Sequence, residues 1–257
     1  MADARSVSTP IGAHFKLQAV KEDQEGLESL HMRDVSYYNA VGSIMYMMVS
    51  TRPDITYGLG LVSRFMSKPS REHWKAIQWL LRYLKGTKQL KLQYSKHAAL
   101  STYEVTGYCD SDYVADLDKR MSISGYVFAF GGNIVSWKSN LQNVVALSTT
   151  EAEYISLTEA VKEGLWISGF VTEMGFDQSS ISIFCDSQSA IHLSKNLVFH
   201  ERTKHIEVRL HFVRDIVSKG LAKVLEIDAQ VNPADILTKV VPVNKLNQAL
   251  SLLKLVE

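Results

Sequence analysis

Cysteine is scarce in this chain: there are two in 257 residues, Cys109 and Cys185. Neither has a CxxC partner or paired histidines nearby, which argues against a zinc cage, and two thiols make no disulfide framework. Two small buried core residues is the plain reading. Long apolar runs are also missing. No stretch approaches the roughly 18 consecutive apolar residues of a membrane span, and the opening MADARSVSTPIGAHFK holds no run suited to a signal peptide. An intracellular protein, of cytoplasm or nucleus, is expected. An excess of charge of one sign is absent as well, with 28 Lys and Arg against 27 Asp and Glu. Any basic surface for nucleic acid must therefore be local.

What is present is apolar content of 46%, enough to bury a full-sized core. Residues 1–35 are polar and without a sustained period, and are expected to form a flexible lead-in. Residues 36–100 read as mostly helical: YYNAVGSIMYMMVST, then a helix opened by Pro53, then SREHWKAIQWLLRYLKG, capped by Ser70 and stopped at Gly86. The last of these carries Trp74, Ile77, Leu81 and Leu84 on one face. After about residue 88 the texture changes to short β-branched and aromatic runs: KLQY, EVTGYC, GYVFAF and IVSWKS, the last two joined by a GGN turn. A long helix from Ser148 to about Met174 follows, then strand ISIFC, a helix through HIEVRLHFVRDIVSKG, strand AKVLEID, a short helix opened by Asn232-Pro233, and an amphipathic tail helix over 244–257. Strands followed by alternating helix and strand predict a mixed α/β sheet.

Some acids in this pattern are not explained by solvation or capping. Glu151 is explained: it stands three residues after Ser148 in STTE, the capping-box spacing, and its natural partner is the Ser148 N–H. Glu153 is not. At about 100° per residue, Leu157, Ala160, Gly164, Ile167 and Val171 all fall within about 40° of it, on the inward face. A carboxylate there needs a partner or a metal. Asp110 and Asp186 each follow a strand and each sits in a Cys-Asp-Ser tripeptide. Ligands gather at the carboxyl ends of strands in open α/β sheets, so the two converge if their strands are neighbours. Asp112 points the same way as Asp110 and is an auxiliary candidate. Asp235, third residue of the NPADILTK helix, has a rival reading as favourable charge against the helix dipole. Several acids at one sheet edge need a counter-charge, which magnesium or manganese supplies. Two such ions suit hydrolysis of a phosphodiester by an activated water.

The ordered set GYCDSDY, ALSTTEAEY, CDSQSA and NPADILTK closely resembles the ribonuclease H domain of Copia-type LTR-retrotransposon Pol polyproteins. SISGYVFAFGGNIVSWKS and FHERTKHIEVRLHFVRD, lying between, look like the same family. Upstream, VSTPIGAHFKL, YYNAVGSIMYMMVSTRPDITYGLGLVSRFMS and EHWKAIQWLLRYLKGT resemble the end of the same polyprotein's reverse transcriptase. The resemblance implies a ribonuclease H-like, mixed five-stranded sheet flanked by helices over 104–243, preceded by a helical thumb or connection remnant. It implies that the two Cys-Asp-Ser strands are adjacent and parallel. It places the catalytic, metal-binding carboxylates at Asp110, Glu153, Asp186 and Asp235, with two Mg²⁺ (or Mn²⁺) ions as cofactor. The implied reaction is cleavage of the RNA strand of an RNA–DNA hybrid, leaving a 3′-hydroxyl and a 5′-phosphate.

Two departures matter. The polymerase motif, an aromatic residue followed by x-Asp-Asp, occurs nowhere in the chain, so polymerase activity is not expected. The loop before the last acid, IDAQVNP, lacks the histidine that aids product release in cellular ribonucleases H. His205 or His211 would have to reach in, against a plain role for each on its helix. Lys119, Arg120, Trp137, Lys138, Arg202 and Lys204 lie near the motifs and are candidates for gripping phosphates and stacking on sugars, though exposed basic residues are commonly just solvated. The competing expectation is a catalytically silent or co-opted fragment that binds nucleic acid or a protein, in the manner of an effector. In it, loss of the missing reverse-transcriptase portion exposes apolar surface around Met45, Met47 and Met48.

Overall fold

The structure, a computed structural model, describes residues 4–96, 103–195 and 207–257. Its helices are α1 (Glu25–Met32), α2 (Tyr37–Thr51), α3 (Thr56–Ser63), α4 (Arg71–Gly86), α5 (Thr149–Glu173), α6 (Gln188–Lys195), α7 (Glu207–Ser218) and α8 (Val243–Leu252). The strands are β1 (Lys91–Leu92), β2 (Val105–Asp112), β3 (Ile123–Phe130), β4 (Asn133–Leu141), β5 (Ile181–Cys185), β6 (Ala222–Glu226) and β7 (Leu255–Val256). None of the described helices is long and apolar enough to cross a membrane.

The main sheet runs β4-β3-β2-β5-β6. β2, β3 and β4 form an antiparallel meander, and β5 and β6 add to β2 in parallel. The chain is therefore a mixed five-stranded α/β fold with flanking helices, ribonuclease H-like in strand order. In the β2–β5 register Cys109 stands opposite Cys185, so the two Cys-Asp-Ser strands are adjacent and parallel as expected. Both thiols are buried and free. β2 extends to Asp112, past the expected end, because residues 110–112 remain paired to β3 after the pairing with β5 has stopped.

Each face of the sheet carries its own core. On one, α5 packs through Leu157, Ala160, Val161, Ile167 and Val171, together with Leu210, Val213 and Ile216 of α7. The approach is close: a Cβ on Gly164 would meet Ile181 at 2.6 Å and Phe128 at 3.0 Å, and one on Gly107 would meet Phe128 at 2.3 Å. On the other face, Val127, Ala129 and Ile134 of the sheet join Ile44 of α2, Leu59 of α3, Ile77 and Leu80 of α4, and Leu246 and Ala249 of α8. The helical first part and the sheet thus share one core. On α4 the buried centre is Ala76, Ile77, Leu80 and Tyr83, with Trp74, Leu81 and Leu84 half-buried at its flanks.

Two segments differ from the sequence reading. The stretch read as a flexible lead-in carries a 3-10 turn, Glu22–Gln24, and then α1, and it buries Ile11 and Met32 in the helical core. The tail is helical only to Leu252; Leu255–Val256 then pairs antiparallel with Lys91–Leu92 as a separate two-stranded sheet. A two-residue strand has no room for a period, and its partner lies far away in the chain.

Candidate metal centre

Four segments deliver the four acids. Asp110 is near the end of β2, Glu153 is one turn into α5, Asp186 follows β5, and Asp235 lies in the 3-10 turn Pro233–Leu237. Each segment is fixed independently. Ser148 caps α5, its Oγ accepting from the Glu151 N–H at 3.1 Å. The Glu151 carboxylate accepts from the Leu147 N–H at 2.7 Å, one residue before the Ser148 N–H that the capping-box pattern predicts. Either way Glu151 serves the helix start. Ser156 Oγ, on α5, donates to the Asp110 carbonyl at 2.7 Å and ties the helix to β2 between the two acids. Asn232 caps the last turn, accepting from the Ala234 N–H at 3.1 Å, while its amide nitrogen donates to the Cys109 carbonyl at 3.0 Å. The rival reading of Asp235 as a mere helix-start charge accounts poorly for a side chain that is almost wholly buried beside β2.

Carboxylate oxygens of Asp110, Asp186 and Asp235 lie within 4.8 Å of one another, and those of Glu153 and Asp186 do so together with the Cys185 thiol. Asp186 belongs to both groups and links Glu153 to the other two. Burial first, then the Asp235 charge, pushes the Asp110 carboxyl up to about 7. Burial, then Asp110, pushes Glu153 up to about 9, and the same kind of crowding raises Asp186. Asp112 is raised by burial, with Lys239 and Lys16 opposing, and it stands outside both groups.

Cations on this chain meet part of that charge. Lys239 Nζ lies 3.3 Å from both oxygens of Asp110 and 3.2 Å from Asp235 Oδ1. Burial opposes its charge, but the two carboxylates outweigh it and raise the Lys239 pKa. Lys245 of α8 pairs with Asp235 Oδ2 and also donates to the Ala229 carbonyl at 2.6 Å. Thr238 Oγ1 donates to Asp110 Oδ2. Sequence reasoning missed all three. Lys239 had a signal, since it follows Asp235 at the i, i+4 spacing; Lys245 comes from another helix and had none.

The donor set fits a hard divalent cation: several converging carboxylate oxygens, one of which, Glu153 Oε2, is buried with no hydrogen-bond partner. An anionic oxygen held so is expensive unless something positive comes to it.

The remaining candidates are scattered. Lys119 and Arg120 are exposed in the β2–β3 loop, where Arg120 has φ 57° and Val114 φ 55°. Trp137 is half-buried against the helical core, its indole N–H donating to the Met48 carbonyl at 3.1 Å, which makes it a bridge to α2 in place of an exposed stacking ring. Lys138 is exposed and lines a small cavity with Tyr126, Asn140, Glu159 and Arg209. His211 is exposed on α7, 3.8 Å from Glu207. Arg202, Lys204 and His205 lie outside the described residues.

No family model matches the chain. Curated relatives do. The retrovirus-related Pol polyprotein from transposon TNT 1-94 of Nicotiana tabacum is 49% identical over 245 residues, 95% of this chain and 18% of that protein. The chain belongs to the Copia-type, retrovirus-related Pol polyproteins. It spans less than a fifth of the length of curated Pol polyproteins that it matches. A shorter relative, secreted RxLR effector protein 161 of Plasmopara viticola, is 44% identical over 137 residues, 53% of this chain and 94% of that protein. Among solved structures, LC11-RNase H1, isolated from compost, covers 58% of this Pol-family chain and 99% of its own at 15% identity and a TM-score of 0.42. The ribonuclease H-like fold rests on the strand order and register.

Proposed function

We propose that the chain is a metal-dependent endonuclease that cleaves the RNA strand of RNA–DNA hybrids. The observation that carries this reading is the convergence of Asp110, Glu153, Asp186 and Asp235 from four separate segments, with their oxygens spaced for shared cations. Membership of the Pol polyproteins supports it. Asp110, Asp186 and Asp235 would hold one ion and Glu153 with Asp186 a second, Mg²⁺ or Mn²⁺. Bound divalent ions supply the positive charge that activates an attacking water and stabilises the departing oxygen. The protein's part is placement: β2 and β5 set Asp110 and Asp186 side by side, the Asn232 cap fixes Asp235, and α5 holds Glu153 against solvent. Hybrid selectivity would rest on groove width and the 2′-hydroxyl, since these contacts are blind to sequence. Purified chain with Mg²⁺ should cut the RNA of a hybrid to products bearing 3′-hydroxyl and 5′-phosphate ends, and Asp186→Asn should abolish the cut. Hybrid left intact by the wild-type chain under Mg²⁺ and Mn²⁺ refutes the reading.

A second reading has a specific observation behind it. The match to the RxLR effector covers nearly all of that protein, and α2 here has no charged residue and exposes Tyr38, Met45, Tyr46, Met47 and Val49, while Met48 is half-buried. On this reading the chain is a binding protein whose α2 face takes a protein partner, a reverse-transcriptase portion of a Pol polyprotein among the candidates. Partner binding that survives Asn or Gln at all four acids favours it; binding lost with the acids counts against it.

A further inference from the structure

Lys239 sits where a cation should. Its ammonium touches both oxygens of Asp110 and one of Asp235, acids brought in by different elements. The acids' side chains are only 1–2% exposed, whereas that of Lys239 is 36% exposed, so it reaches in from the rim on a flexible stem. Lys245 cannot stand in for it, since it meets Asp235 alone and is anchored by the Ala229 carbonyl. We infer that Lys239 is the centre's built-in counter-ion, a placeholder whose ammonium must leave before a divalent cation can take the oxygens of Asp110 and Asp235. The inference rests on the metal-binding reading above.

The reason is electrostatic exclusion. An ammonium in contact with these oxygens and a doubly charged ion among them would stand within a few ångströms of each other, where like charges repel strongly at low effective dielectric. They therefore compete. Without metal, Lys239 lets buried acids coexist; with metal, it is surplus and moves outward by side-chain rotation. The site gains a fold that does not depend on metal and loses part of its metal affinity.

The test is a Mn²⁺ titration of the full chain without nucleic acid, following free Mn²⁺ by electron paramagnetic resonance. Lys239→Met should bind Mn²⁺ roughly tenfold more tightly than wild type, and its melting temperature should start lower and rise more on adding Mn²⁺. Lys162→Met, which breaks an exposed pair with Glu159, should match wild type. If folded Lys239→Met binds Mn²⁺ equally or more weakly, Lys239 organises the acids for the metal and the inference fails. If Lys239→Met does not fold, Lys239→Arg keeps the charge and should bind no more tightly than wild type; tighter binding refutes the inference. Absence of Mn²⁺ binding by both wild type and Lys239→Met also refutes it. Failure to cut hybrid with binding intact counts only against the nuclease reading.

Discussion

At the scale of single residues, the separation of Glu151 from Glu153 was legible because helix geometry alone assigns one to the cap and the other to the inward face. The structure puts Glu151 on the Leu147 N–H and Glu153 beside Asp186. What was not legible is the neutralisation, because Lys239, Lys245 and Thr238 act on the acids by tertiary placement. Glu153 offers a clean test. Burial first, then Asp110, holds its pKa at about 9, above its unfolded value, so it is protonated in the metal-free fold at neutral pH. A raised carboxyl contributes its full stability below the unfolded pKa and loses it as pH rises through about 9. Glu153→Gln, a mimic of the protonated form, should therefore match wild type in acid, below the unfolded value of 4.5, and raise the metal-free melting temperature at pH 7, where only the unfolded wild type gains by ionising. It should also abolish the loss of stability that wild type shows as pH rises from 4.5 to about 9. Hybrid cleavage should fall by at least about a hundredfold, the several kcal/mol that a metal ligand commands. Thermal melts across pH and a cleavage assay on the same preparation check both. A large loss of stability at pH 7 would mean that Glu153 is ionised and paired.

At the scale of elements, α5 was the most legible, bounded by the Ser148 cap and Met174 as expected, because a 25-residue helix repeats its pattern many times. α4 shows the opposite case. Its start was read from Ser70, but the capping partner is a histidine: His73 Nδ1 accepts from the Ser70 N–H at 2.9 Å and Nε2 bonds the Gln18 carbonyl at 3.0 Å. Nδ1 is therefore the acceptor and Nε2 carries the proton. Burial lowers the His73 pKa, with the Gln18 carbonyl opposing. A depressed histidine contributes stability above its unfolded pKa, and that stability is lost as pH falls from about 6.5 toward the folded value. Protonation would also put a hydrogen on Nδ1 against the Ser70 N–H, releasing the helix start while Nε2–H keeps the Gln18 carbonyl. Melting temperature should fall between pH 7 and pH 5, and His73→Gln should flatten that fall while lowering stability at pH 7 by about 1 kcal/mol, the worth of a cap. An equally steep acid limb in His73→Gln would assign the effect to other groups.

At the scale of the whole molecule, the sequence changes texture after about residue 88, and the expectation drawn from it is a helical unit followed by a mixed α/β sheet. The packing joins what the texture separates. Val127, Ala129 and Ile134 of the sheet are buried against Ile44, Leu59, Ile77 and Leu80, and Trp137 donates to the Met48 carbonyl across the boundary. Periodicity marks which residues of a strand are apolar on each face, but not what will cover them. Here both faces of β3 are buried, so nearly the whole strand reads as apolar. A fragment of residues 104–257 would keep α8 but lose α2, α3 and α4 from one face, and β7 would lose β1. Uncovered sheet of this kind favours compact states with loose packing. The fragment should retain far-UV circular dichroism, lose near-UV signal from Trp137, bind a hydrophobic dye and cleave hybrid weakly, with activity restored by residues 1–96 added in trans. A fragment that melts cooperatively at the temperature of the full chain would show that the two units are stable apart, and that the contacts along β3 and Trp137 add little.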